Sequence, residues 1–258
     1  MPRPHADPAL LLGQLIFVLL AEFLALLAGT FLLATGAVPP WAGITIIVAV
    51  SIVAIPFVAV LWRRLARASR ERLGTAFEAL GLSLEMNPKT PVHGERYTAV
   101  EGGFDFPNGA KGVKWSAAGE VDERPTVLLH HVHVVHTGNA TVPVPKSVAA
   151  TPCPEEWPVL SLGPETLATR LAELFGSRDI RVEDEGFNRR WRVKCDDEDF
   201  AIAMLTPEVQ AFLMNAPATE QWAIGRGWIR VARRETVKPD LVPELARRPG
   251  TLAARLPL

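Results

Sequence analysis

The pattern of hydrophobic and polar positions divides the chain into two unlike parts. Leu10 to Ala34 and Trp41 to Trp62 are almost unbroken apolar runs, whereas beyond Pro88 apolar and polar residues alternate in short stretches punctuated by Gly, Pro and Asn. Each apolar run exceeds the roughly 20 residues that a helix needs to cross a bilayer. Thr35-Gly-Ala-Val-Pro-Pro40 between them allows only a tight reversal. The pattern therefore predicts a transmembrane helical hairpin, residues 10–34 and 41–62, after a short N-terminal segment, 1–9. Trp41 and Trp62 bracket the second arm, and tryptophan favours the water–lipid boundary. At about 1.5 Å per residue their separation is about 31 Å, the thickness of the hydrocarbon core. Pro56 removes a backbone hydrogen bond from this arm and predicts a kink.

Charge sets the orientation. Arg63, Arg64, Arg67, Arg70 and Arg72 follow the second arm and Arg3 precedes the first, while the connecting turn has no Lys or Arg. Basic flanks stay on the cytoplasmic side. The expectation is a multi-pass protein of the inner (plasma) membrane with both termini cytoplasmic. A cleaved leader is the competing reading of the first arm, but its apolar run is far longer than a leader's. Even then the second arm would stop transfer.

Residues 63–82 continue as a basic juxtamembrane helix, with Leu65, Leu73, Ala76, Phe77 and Leu80 at helical spacing and Gly81 as its stop. Residues 83–236 read as strands mixed with short helices. Tyr97–Glu101, Gly112–Ser116 and Pro125–His136 are strands, and Gly138-Asn139 turns the chain into a run ending near Lys146. Pro143 and Pro145 demote that run to an edge strand or an extended loop. Gly163-Pro164 starts a helix that stops at Gly176. Phe187 to Cys195 reads as an alternating strand with Asn188, Arg190, Arg192 and Lys194 on one face. Short helices are expected from Asp196–Asp199 to Ala203 and from Thr206-Pro207 to Met214, and final strands at Gln221–Gly225 and Trp228–Ala232. The tail, 237–258, reads as a loose helix broken by Pro243 and Pro249-Gly250. Without βαβ alternation, the expected class is α+β on an antiparallel sheet.

Composition narrows the function only a little. The chain has 258 residues and a formal net charge of −1, and the part after residue 82 is slightly acidic. That balance argues against a nucleic-acid partner, which asks for a basic face. Cys153 and Cys195 are too few for a disulfide framework and fit a reducing compartment. No phosphate-binding loop, dinucleotide fingerprint, zinc-protease motif or nucleophile elbow occurs, so no cofactor and no catalytic residue is assigned.

Glu185-Gly-Phe-Asn-Arg-Arg-Trp-Arg-Val, then Asp-Glu-Asp-Phe-Ala201 and Leu205-Thr-Pro, resemble a pattern in uncharacterised bacterial membrane proteins. In that group two N-terminal transmembrane helices precede a cytoplasmic domain with a Phe-Asn-x-x-Trp/Phe strand and an Asp-x-x-Phe-Ala helix. The resemblance runs from Leu10 to about Val231. It implies the architecture and carries no activity.

Four groups bear candidate chemistry. Glu22, near the middle of the first arm, is costly in lipid and reads as an ion relay or a helix–helix contact. Asn188, Arg190, Arg192 and Lys194 form a basic strip that would hold an anion, or a solvated face balanced by the acidic residues on both sides. His130, His131, His133 and His136 place only two rings on each face of a strand, short of a zinc set, so no metal is assigned. Arg63, Arg64, Arg67 and Arg70 suit anionic lipid head-groups. The leading expectation is a non-enzymatic membrane protein that presents a cytoplasmic interaction domain to an unidentified protein or to the membrane surface. The alternatives are a tethered enzyme or ligand-binding sensor, and a small transporter or channel subunit built on Glu22.

Overall fold

The computed structural model describes residues 16, 23, 26, 27, 29–31, 35, 36, 39–86, 112–138, 140–164 and 180–257. The chain forms two compact units, Met1–Gly74 and Thr75–Leu258. Most of the first apolar arm, the strand expected at Tyr97–Glu101 and the helix expected after Pro164 lie outside the described residues.

Among the described residues the long element is helix α1, Pro40–Glu78, continuous over 39 residues with Pro56 inside it. The second apolar arm and the basic segment are thus one helix. Along its basic part the expected division holds. Leu73 and Phe77 are buried, while Arg63, Arg64, Arg67, Arg70 and Arg72 are exposed. In the first unit, Leu61 is buried against Val58, Leu65 and Ala68. Among the described residues no helix is long and apolar enough to cross a membrane. The side chains at 40, 42, 43, 46, 47, 49–51, 53 and 54 lie outside that description.

The second unit is α+β, with one antiparallel eight-stranded sheet. Its strands are β1 Leu82–Met86, β2 Val113–Val121, β3 Arg124–Thr137, β4 Ala140–Pro152, β5 Leu160–Pro164, β6 Trp191–Lys194, β7 Glu220–Gly225 and β8 Trp228–Arg233. They lie in the order β1-β2-β3-β4-β8-β7-β5-β6. Gly81 ends the preceding helical segment at a φ of 72°, which glycine adopts without strain. Arg226-Gly227 closes the β7–β8 hairpin with both residues at positive φ, a turn whose twist suits the strands.

Register makes the core legible. Leu84, Ala117, Leu128, Ala149, Val231, Trp222, Leu162 and Val193 are successive cross-strand partners through all eight strands. Seven of them are at most 1% exposed, which makes this row the spine of the core.

Among the described residues four short α-helices accompany the sheet: α2 Glu185–Arg190, α3 Glu198–Met204, α4 Pro207–Met214 and α5 Val242–Ala253. Asp197 caps α3 by accepting from the Phe200 amide at 2.9 Å, and Thr206 caps α4 by accepting from the Val209 amide. Trp191 Nε1 donates to the Leu213 carbonyl, which ties α4 to β6.

Three expectations are corrected. Residues 237–258 are no loose tail. Pro243 sits in the first turn of α5, where its missing donor costs nothing. Val242, Leu245, Ala246, Pro249, Leu252 and Ala253 are buried, and α5 lies against β2, β3, β4 and β8. The bond lost at Pro249 is offset by that burial. Second, β4 is not wholly an edge. Ala140–Lys146, which holds both prolines, pairs with β3 alone among the described residues, but Ser147–Pro152 lies between β3 and β8. Third, Gly163 and Pro164 belong to β5.

Candidate functional site

The basic strip is not assembled as the alternation predicts. Asp184 accepts from the amides of Gly186 and Phe187 and starts α2, whose last turn carries Arg189 and Arg190. An acidic cap and a basic end complement the helix dipole. The strand therefore begins only at Trp191. Asn188 clamps the neighbouring chain, donating to the Val182 carbonyl at 2.7 Å and accepting from the Val182 amide at 3.0 Å. Arg190 donates to the Ala216 carbonyl. Both side chains hold the fold together, and only Arg192 and Lys194 remain on a common strand face.

Those two residues meet others that the sequence pattern did not single out. Arg192 and Lys194 line a cleft of about 480 Å³ with Ser161, Gly163, Pro164, Ala218, Thr219, Gln221 and Arg234. The register explains the convergence. Ser161 faces Lys194 and Gly163 faces Arg192 across β5 and β6. Gln221 comes from β7, and Arg234 reaches in from the end of β8. Three cations, two hydroxyls and an amide thus share one concavity, and no carboxylate lines it among the described residues.

A buried ionic cluster lies on the opposite face. Glu220 and Arg233 are cross-strand partners at 0% and 3% exposure. Arg233 Nε and Nη2 donate to Glu220 Oε1 at 3.0 and 2.7 Å, and Arg233 Nη2 also donates to Glu244. Arg248 Nη2 donates to Glu220 Oε2 at 2.7 Å, with its guanidinium 4.6 Å from the centre of the Phe212 ring. Burial alone would lower the Arg233 pKa, but the Glu244 and Glu220 carboxylates outweigh it and hold the group above its usual value. Glu244 and Arg248 belong to α5, so the cluster fastens that helix to the sheet. A signal for it existed: Glu220 and Arg233 are equidistant from the Arg226-Gly227 turn, so the hairpin sets them opposite one another.

Of the histidines, His130 has a structural use. His131 and His133 lie 6.0 Å apart between ring centres. His130 stacks on Trp115 and is bonded through Nδ1 to Ser147 Oγ at 2.8 Å. The Ser147 hydroxyl donates its one proton to the Glu235 carbonyl, so His130 Nδ1 carries a hydrogen and donates. Burial, aided by His131 and Lys114, lowers the His130 pKa to about 4. The ring is neutral near pH 7. Among the described residues no group of three His, Cys, Asp or Glu side chains could hold a metal ion. The His136 side chain and Glu22 lie outside the description.

Both cysteines are free and partly buried, and burial raises both thiol pKa values. Arg230, buried near Cys153, donates to the Gly225 and Trp228 carbonyls, and burial lowers its pKa to about 10. Arg230 and the Cys153 amide hold the β7–β8 turn, and neither thiol is activated.

In comparisons with known proteins, no family profile, no curated protein and no solved structure matches the chain.

Proposed function

We propose that this chain is an integral protein of the inner (plasma) membrane whose apolar hairpin, residues 10–34 and 41–62, anchors the α+β unit as an interaction domain on the cytoplasmic side. The observation that carries this reading is the surface of α1. Trp41, Ile44, Val48, Ile52 and Ile55 recur at helical spacing and are 71%, 57%, 49%, 66% and 64% exposed. Phe57, Val60 and Trp62 extend the exposed apolar surface, and no charged residue interrupts Trp41 to Trp62. Water does not tolerate a patch of that length on a soluble protein, whereas lipid covers it without cost. The exposed arginines that follow suit the cytoplasmic leaflet, where Arg63, Arg64, Arg67 and Arg70 would each gain about 1 kcal/mol from anionic head-groups.

The test is extraction. The full chain should stay with the membrane pellet through an alkaline carbonate wash and leave it only in detergent. A cysteine introduced at Gly36 should react with an impermeant maleimide added outside intact cells, while Cys195 should not. Recovery of the chain as a monodisperse species without detergent would end the reading.

A further inference from the structure

We propose that the outer half of the β3–β4 hairpin, residues 132–145, inserts into the surface layer of a lipid bilayer. The inference rests on the membrane anchor proposed above, because that anchor keeps the second unit at a bilayer.

The first argument is where the apolar surface lies. Among the described residues of the second unit, the exposed large apolar side chains are Val134, Val135, Val142 and Ile202, and three of these four sit on the hairpin. Val135 and its cross-strand partner Val142 share one face of the ribbon, while Val134 and its partner Pro143 share the other. The three valines and Pro143 are exposed, so both faces are apolar. A folded protein partner seats on one face of such a ribbon, whereas lipid surrounds both.

The second argument is charge. No Asp, Glu, Lys or Arg occurs from Val132 to Pro145. Charge is what makes entry into lipid costly, and this stretch carries none to desolvate.

The third argument is the backbone. A strand margin that enters lipid must not bring unmet donors with it. The register between β3 and β4 runs unbroken through Pro143 and Pro145. The β4 amides that bond to β3 are therefore those of the alternate residues, Val142 and Val144, and the two proline nitrogens lie on the far margin. From Val142 to Pro145 that margin carries no N–H. Its carbonyls remain, and a carbonyl is the more tolerable of the two groups to leave unpaired.

The fourth argument is reach. From Val132 to Thr137 the strand runs about 17 Å at about 3.3 Å per residue. The polar layer on each side of a bilayer is about 6 Å deep, so a ribbon of this length brings its valines to the acyl boundary.

The experiment uses the full chain in phosphatidylcholine vesicles at fewer than one chain per vesicle, with Cys153 and Cys195 replaced by Ala. Ile52→Cys, Val142→Cys and Glu155→Cys chains are each labelled with an environment-sensitive fluorophore, and lipid bearing a nitroxide on its acyl chain serves as quencher. The label at position 142 should lose at least about half of its emission, and the label at 155, on an exposed loop of the same unit, almost none. Val135→Asp added to the Val142→Cys chain sets a carboxylate beside the label. It should reduce the quenching to the level at 155, while the urea midpoint in detergent stays that of the parent. Quenching at 52 without quenching at 142 overturns this inference and leaves the anchor standing; no quenching at 52 ends both. A signal at 142 that appears only at many chains per vesicle assigns the ribbon to a second copy of the chain and overturns the proposal. Equal quenching at 155, or quenching at 142 that survives Val135→Asp, overturns it as well.

Discussion

Arg233 and Arg234 are neighbours in the chain and opposites in circumstance. Arg233 is 3% exposed and is gripped by Glu220, Glu244 and Glu235. Arg234 is exposed and lines a cleft in which the described residues supply no acid. Arg233 closes β8 on the face that α5 covers, and Arg234, just past the strand's end, lines the cleft. What those faces hold then differs because α5 covers only one of them. Along the covered face runs a polar row of cross-strand partners, Trp115, His130, Ser147, Arg233 and Glu220. Each polar member of that row has a protein partner. The difference teaches that charge in this unit does two jobs. Where α5 lays Glu244 and Arg248 over the Glu220–Arg233 pair, charge fastens layers together. On the other face Arg192, Lys194 and Arg234 line a cleft that α5 does not cover.

The comparison is tested most severely at Glu220. Glu220→Gln leaves two buried or half-buried guanidinium groups short of their counter-charge, and unfolding in urea should show a loss of about 3–5 kcal/mol. Glu220→Leu with Arg233→Met should recover only part of that loss, because the desolvation cost of Arg233 disappears with the pair while Arg248 still lacks its partner. A loss under about 1 kcal/mol for the single variant would mean that the covered face is not fastened by charge.

Acid should act next, through His130. Its pKa is about 4 in the fold and about 6.5 unfolded, so between those values the unfolded chain binds the additional proton. The contribution of His130 to stability is complete above pH 6.5 and is lost as pH falls toward 4, a total of about 3 kcal/mol. Urea midpoints measured at steps across this window should fall more steeply in the parent than in His130→Gln.

The smallest effect belongs to the open side. Lys194→Met and Arg234→Gln should leave the unfolding free energy within about 0.5 kcal/mol of the parent, since neither residue holds an element in place. If Arg234→Gln destabilises as much as removal of Glu220, the two faces are not different in kind.

How much of this was legible in the sequence varies with the range of the interaction. Patterns that close within a few residues are read directly. The α3 and α4 caps, the β7–β8 hairpin and the buried side of α1 at Leu73 and Phe77 all follow from local spacing. The stretch from Phe187 to Trp191 misleads because a four-residue step suits both a helix and a strand. The out-of-phase Arg189 and the cap at Asp184 decide for helix. In residues 242–253 the prolines were read as breaks, although Val242, Leu245, Ala246, Pro249 and Leu252 mark an unbroken helical stripe. The cleft was half legible. Arg192 and Lys194 were found by alternation, but Arg234 joins them only through a strand order that no local pattern encodes.

The proline-bearing half of β4 has a consequence of its own. Beyond Lys146 toward its start, the strand departs from β8 and, among the described residues, pairs only with the end of β3 in a ribbon bearing exposed Val134, Val135 and Val142. A naked greasy ribbon invites another chain to zip alongside it. Pro143 and Pro145 lack the hydrogens such a visitor would need on that margin, and their rings stand in its way. The ribbon is thereby sterile toward its own kind: it can project from the sheet without seeding aggregates.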